Sequence, residues 1–175
     1  MLKIFSTQLT GLYKKMMDEE SFNFEDGGRL LAQAAISDGA IYLKGFKEME
    51  GILSEAFHGA EPFPSAKPFV DNASLNVADR VILFTRYTTD QSALQLAKKL
   101  RDQQIPFVTI ASSLVCDEES IEQYSDVHIN LRLLRGLIPD ETGNRVGFPH
   151  LMIALFAYYG IKTTLEEILL EYSEE

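Results

Sequence analysis

The chain has 175 residues, 46% hydrophobic and 24% charged, with 16 Lys and Arg against 26 Asp and Glu for a formal net charge of -10. That composition supplies a core for one domain spanning 1–175, and the acid excess excludes recognition that works by neutralising a nucleic-acid backbone. The single cysteine, Cys116, excludes a disulfide framework or a thiolate zinc cluster.

The N-terminus, MLKIFSTQLTGLYKKMM, lacks an uninterrupted apolar stretch, so it does not read as a signal peptide. No run approaches the ~18 apolar residues that span a bilayer. The expectation is a soluble, cytoplasmic protein with no membrane partner.

Leu2 to Met17 carries Ile4, Leu9, Leu12, Tyr13, Met16 and Met17 largely at helical spacing and predicts a helix, weakened by Gly11. Asp18-Glu19-Glu20-Ser21 reads as a break, followed by a second helix from Phe24 to Ser37 that stops at Asp38-Gly39. Ala40 to Leu43 is a short apolar strand entering Lys44-Gly45. Lys47 to Phe57 reads as a helix, with Met49, Ile52, Leu53 and Phe57 on one face. Residues 60–78 hold Pro62, Pro64 and Pro68 and read as an irregular connection with a short strand near Pro68 to Val70.

Arg80 to Thr85 has no polar residue in its middle, as a strand covered on both faces requires. A polar turn, Arg86 to Thr89, leads to a helix from Asp90 to Gln103 with Leu94, Ala97 and Leu100 as its core stripe. Pro106 to Ala111 is another buried strand, Glu118 to Tyr124 a short helix, and Val127 to Asn130 a short strand. A loop from Gly136 to Gly147 precedes two more predicted helices. Pro149 to Tyr159 is apolar nearly all round, and Thr164 to Tyr172 is amphipathic.

Strands alternating with helices predict a three-layer α/β/α sandwich. Its sheet is parallel and flavodoxin-like, of about four or five strands, with helices added at both termini. Ligands of such sheets bind beyond the carboxyl ends of the strands. The residues leaving those strands are Lys44, Gly45 and Lys47, then Thr85, Arg86, Thr88 and Thr89, then Ser112 and Ser113. Cations and hydroxyls concentrated there in an acidic chain point to an anion site. The helix N-terminus at Thr88 to Asp90 contributes unpaired N–H groups. Thr88 and Thr89 are equally suited to be helix N-caps.

The stretch Ala78 to Thr85, the following helix with Ala97-Lys98-Lys99-Leu100, the strand Pro106 to Ala111, and Ile41-Tyr42-Leu43-Lys44-Gly45 together resemble the sugar isomerase (SIS) domain. The resemblance extends over residues 24–160. More narrowly, the chain is similar to bacterial phosphoheptose isomerase-like proteins of that type. It implies a phosphorylated sugar as ligand, a homodimer, no cofactor, and aldose–ketose isomerisation as the activity; the alternative is a non-catalytic sensor or interaction module retaining the fold.

The resemblance has departures. Gly45 stands at the first glycine of the family's Gly-x-Gly-x-Ser turn, but Lys47 replaces the second and Met49 the serine. In the second loop, only Thr85 keeps a hydroxyl in kind, with Arg86, Tyr87, Thr88, Thr89 and Asp90 following. Arg86 and Lys47 can substitute side-chain charge for a backbone cradle. The ligand-binding set is therefore Gly45, Lys47, Thr85, Arg86, Thr88, Thr89 and Ser112.

Isomerisation requires groups that move a proton between adjacent carbons. The resemblance implies a glutamate on or after the first crossover helix and a histidine on the C-terminal helix. Candidates are Glu55, His58 or Glu61 for the first, and His150 for the second. His150 opens the helix after Phe148-Pro149, where a hydrogen-bonded structural role is the competing reading. His128 lies inside a strand and reads as buried and satisfied. Three separated histidines and one cysteine do not have metal-ligand spacing, so no metal site is expected. Asp117 and Glu118 beside Cys116 oppose thiolate formation, which argues against a reactive thiol.

Overall fold

The computed structural model describes every residue except Asn72, Cys116 and Glu175, so the reading of Cys116 lies outside the described residues. Its elements are α1 (Leu2–Ala35), β1 (Ile41–Gly45), α2 (Gly51–His58), β2 (Ala66–Pro68), β3 (Arg80–Tyr87), α3 (Gln91–Asp102), β4 (Phe107–Ser112), β5 (Val127–Asn130), β6 (Ile138–Pro139), β7 (Arg145–Val146) and α4 (His150–Glu174). Five strands form a parallel sheet in the order β2-β1-β3-β4-β5, while β6 and β7 make a separate antiparallel hairpin.

The alternation of side chains along the strands builds both layers. Ile82, Phe84, Val108 and Ile110 meet α1, α2 and α4 on one face, while Val81, Leu83, Phe107 and Ala111 meet α3 on the other. This double coverage accounts for the apolar runs in β3 and β4.

The N-terminal helix is continuous over 34 residues, correcting the expectation of two helices. The acidic segment is not a break because Glu20, 2% exposed, turns inward and pairs with Arg132 beyond β5. Glu19 pairs with both Lys15 and Arg132.

The C-terminal helix is also continuous, over 25 residues, where two were expected. Gly160 does not interrupt it: a Cβ there would lie 2.7 Å from the Phe24 ring, so the glycine permits α1 and α4 to approach.

Three smaller corrections follow from tertiary pairing. Lys47–Glu50 forms a single 3₁₀ turn before α2. The expected helix near Glu118 is only a 3₁₀ turn, Ile121–Gln123, capped by Ser120. The edge strand falls at Ala66–Pro68, in register with Ile41 to Leu43.

β3 also runs to Tyr87 through what was read as a turn. Phe84 pairs with Ile110 and Tyr87 with Ser112, so β3 holds one residue more than β4 over that interval. Such a bulge re-aims the side chains around it.

Candidate functional site

The strand order places the chemistry. From β1 the chain crosses through α2 towards β2; from β3 it crosses through α3 towards β4, on the opposite face. The two connections diverge and leave a crevice beyond the carboxyl ends of β1 and β3.

Two adjoining recesses occupy that end of the sheet. One, of about 280 Å³, is lined by Glu48, Arg86, Tyr87, Phe148 and His150. The other, of about 390 Å³, is lined by Phe46, Lys47, Thr89, Asp90, Gln91 and Ser92.

The turn leaving β1 is built around close backbone contact. A Cβ on Gly45 would lie 2.4 Å from the Met49 carbonyl oxygen, so this position requires glycine. Lys47, at the place of the second glycine, has φ 56°, the left-handed conformation glycine adopts without strain. Its Nζ is 3.3 Å from Asp90 Oδ1, and the Thr85 hydroxyl donates to Asp90 Oδ2 at 2.5 Å. Burial acts to raise the Asp90 pKa, but the Thr85 hydrogen bond and Lys47 outweigh it and hold the carboxyl below its usual value. Asp90 makes no side-chain cap to α3, whose first residues, Gln91 and Ser92, line the second recess.

Across the crevice, Arg86 donates from Nε to Glu48 Oε1 at 2.7 Å and from Nη2 to Oε2 at 2.8 Å. These bonds hold the Glu48 carboxyl below its usual pKa. His150, 1% exposed, meets Tyr87 edge-on at 5.2 Å and lies parallel to Phe148 at 6.1 Å between ring centroids.

Neither His150 ring nitrogen has a hydrogen-bond partner. Burial and then the Arg86 charge depress its pKa; Glu48 and the nearby carbonyls of Leu133 and Phe148 oppose them without bonding geometry. A neutral imidazole, a fixed guanidinium and a carboxylate thus share one small recess, a set able to accept a proton beside a stabilised negative charge.

The other candidates are distributed differently. Thr88 and Ser112 are buried, and their hydroxyls accept the Leu114 and Leu133 N–H groups at 3.3 and 3.1 Å, tying down loops. Thr89 reaches the second recess.

Glu55 accepts the Tyr159 hydroxyl, Glu61 is exposed with Lys162 at 3.9 Å, and His58 ends α2 in solvent. Tyr159 follows His150 by nine residues, about 14 Å along the helix, so these three are not brought to His150. Glu48 occupies the place beside His150 instead. Its signal was available three residues after Gly45, in the strand exit rather than on the crossover helix.

His128 lies within hydrogen-bond distance of Thr109 Oγ1 at 2.8 Å and Ser113 Oγ at 3.1 Å, consistent with a satisfied strand histidine. No cluster of three or more His, Cys, Asp or Glu side chains suits a metal among the described residues. No helix among them is long and apolar enough to cross a membrane.

This sheet order and its flanking helices are the α/β architecture of solved SIS-fold proteins, to which the chain is similar in fold. One solved neighbour is MJ1247 of Methanococcus jannaschii, whose structure was described as inferring a molecular function of 3-hexulose-6-phosphate isomerase. It is 19% identical with a TM-score of 0.60, over 99% of this chain and 93% of that one. Another is the sugar isomerase domain of the RpiR transcription factor from Sphaerobacter thermophilus, 10% identical with a TM-score of 0.58 over 99% and 98% of the two chains.

Over residues 1–169 the chain matches, and belongs to, the family described as Domain of unknown function (DUF2529). It is 48% identical to the uncharacterized protein YwjG of Bacillus subtilis (strain 168), over 99% of this chain and all of that one.

Proposed function

We propose that this chain binds a phosphorylated sugar in the crevice and interconverts its aldose and ketose forms. The observation carrying this reading is His150: buried, without a hydrogen bond, and beside the Arg86 guanidinium at a strand-order switch point. The phosphate would meet the first-turn N–H groups of α3, with Lys47 and Thr89 beside them. The neutral His150 ring would take the proton from the carbon next to the carbonyl and return it to the neighbouring carbon. Arg86 would steady the enolate oxygen, and Glu48 would carry the proton between the two oxygens.

The phosphoheptose type is the narrowest form of this proposal. The same reading makes the working form a cytoplasmic homodimer, joined through the α1–α4 surface where Met17, Phe22, Met152 and Tyr159 are exposed. Light scattering on the purified protein tests the dimer directly.

A second reading rests on a specific observation: Arg86 and Lys47 already have carboxylate partners, Glu48 and Asp90. A non-catalytic sensor retains the recess without turnover. Hexose, heptose and amino-sugar phosphates are to be incubated in D₂O and followed by proton NMR, alongside thermal unfolding. A ligand at 100 times its dissociation constant stabilises by about 2.7 kcal/mol. Deuterium incorporation or ketose formation lost in His150→Gln supports the isomerase. A raised midpoint without exchange selects the sensor, and no change across the panel rejects both.

A further inference from the structure

A separate recess, of about 340 Å³, is formed by α1 and the segment connecting β5 to α4. Gln8 and Leu12 of α1 face Arg132, Leu134, Arg135 and Arg145 across it. Its residues are separate from those lining the switch-point recesses.

The three arginines are held in different ways. Arg132 has φ 58° and its N–H is accepted by Asn130 Oδ1 at 2.8 Å; its guanidinium is neutralised by Glu19 and Glu20. Arg145 donates from Nε to the Gly136 carbonyl and from Nη2 to the Leu137 carbonyl, both at 2.9 Å, with no carboxylate partner among the described residues. Arg135 is exposed and has no ion-pair or hydrogen-bond partner among the described residues.

The backbone supports this arrangement. A Cβ on Gly136 would lie 2.5 Å from the Val146 nitrogen and oxygen, so glycine lets the segment press against the hairpin that carries Arg145. The carbonyls fix the Arg145 fork without cancelling its charge. Two guanidiniums without carboxylates at one recess reverse the local sign of a chain whose net charge is -10. Planar guanidinium groups suit phosphate and carboxylate oxygens. Leu12 and Leu134 give the same recess an apolar wall.

We propose that this recess is a second ligand site, for a small molecule in which a phosphate or carboxylate is attached to an apolar body. Its concavity and the overall acidity of the chain favour a small ligand over a polyanion.

The test is titration of the ¹⁵N-labelled full chain with phenyl phosphate and with benzoate, at constant ionic strength in the millimolar range. Inorganic phosphate is the reference without an apolar body. The expected result is saturable shifts of the Gln8, Arg135 and Gly136 amides, tighter for an aromatic anion than for phosphate. The two aromatic probes distinguish phosphate from carboxylate recognition. Arg135→Ala should weaken binding about tenfold, because a lost charge-assisted hydrogen bond has that order of effect. Arg86→Ala should leave these shifts unchanged. The exposed position of Arg135 keeps its variant folded, which the amide spectrum checks. Absence of saturable shifts, equal affinity in Arg135→Ala, or no preference for the aromatic probes overturns the proposal.

Discussion

The Arg86 guanidinium and the Glu48 carboxylate form a two-bond fork at 2.7 and 2.8 Å, joining the end of β3 to the turn that leaves β1. Glu48 occupies the Nε–Nη2 edge of the guanidinium. Both side chains are about one-third exposed, at 39% and 32%, so the pair is a modest contributor to stability.

Glu48→Gln removes the competing charge while retaining an acceptor for Arg86. Sugar phosphate affinity should therefore rise about tenfold, as the strength of a charge-assisted bond implies. Turnover should fall by roughly 10²–10⁴ if Glu48 carries the proton. Titration calorimetry measures the first effect and the NMR exchange assay the second. Weaker binding in this variant would instead show that Glu48 holds Arg86 ready for ligand.

His150 supplies a pH-dependent prediction. Burial and Arg86 lower its folded pKa, so between that value and the ordinary 6.5 the unfolded chain binds more protons. Its contribution to stability is fully present above 6.5 and declines as pH falls through this interval. Burial of His128 gives a change of the same sign, and its nearby Glu122 and Glu20 charges oppose it. Thermal midpoints should fall below pH 6.5 in wild type and fall less steeply in His150→Gln. The His150 Cε1 proton, followed by NMR, should titrate higher in Arg86→Gln and lower in Glu48→Gln. Unchanged titration in both variants would remove the proposed electrostatic link.

The legible parts of the sequence were those whose signal is local. Arg80 to Thr85 and Pro106 to Ala111 announced buried strands by their apolar runs, and strand ends pointed to Lys47 and Arg86, whereas His150, at the start of α4, was reached through the family resemblance. The continuous α1 was not legible because Glu20 becomes an inward-facing residue only through Arg132 and Asn130, more than 100 positions away. Thr88 and Ser112 carried the same polar signal as ligand groups, yet their hydroxyls bond to backbone N–H groups. Glu48 is three residues from Gly45, but its proximity to His150 depends on how the 3₁₀ turn at Lys47–Glu50 meets α4.

Glu20 therefore provides a test of the α1 correction. Its carboxylate accepts from Arg132, from the Asn23 side-chain amide at 2.7 Å and from the Asn130 N–H at 3.3 Å. Glu20→Ala removes all three and leaves the partly buried Arg132 with only Glu19. Breaking a buried pair costs about 3–5 kcal/mol, and partial exposure of Arg132 places the expected loss near 3 kcal/mol. Urea unfolding measures it as a lower midpoint with an unchanged slope. Glu20→Gln should recover part of the loss by keeping the hydrogen bonds. A loss below about 0.5 kcal/mol for Glu20→Ala would place this residue among ordinary surface positions.

Lys47 separates backbone strain from ligand charge. A left-handed residue with a Cβ costs about 1–2 kcal/mol, whereas glycine adds about 0.5–1 kcal/mol of unfolded-state entropy. Lys47→Gly also removes the Asp90 ion pair, but the Lys47 side chain is 61% exposed, which leaves that pair little weight. The balance predicts stability that is unchanged or higher by up to about 1 kcal/mol. Phosphosugar affinity should nevertheless fall, because the cation at the second recess is gone and Asp90 loses its counter-charge. Lys47→Ala keeps the strained backbone and removes the same charge, so it should bind as weakly as the glycine variant while being less stable. Thermal unfolding with and without saturating ligand measures both quantities in one experiment. Equal stability of the glycine and alanine variants would limit the strain at this turn to about 0.5–1 kcal/mol, the entropy that glycine adds.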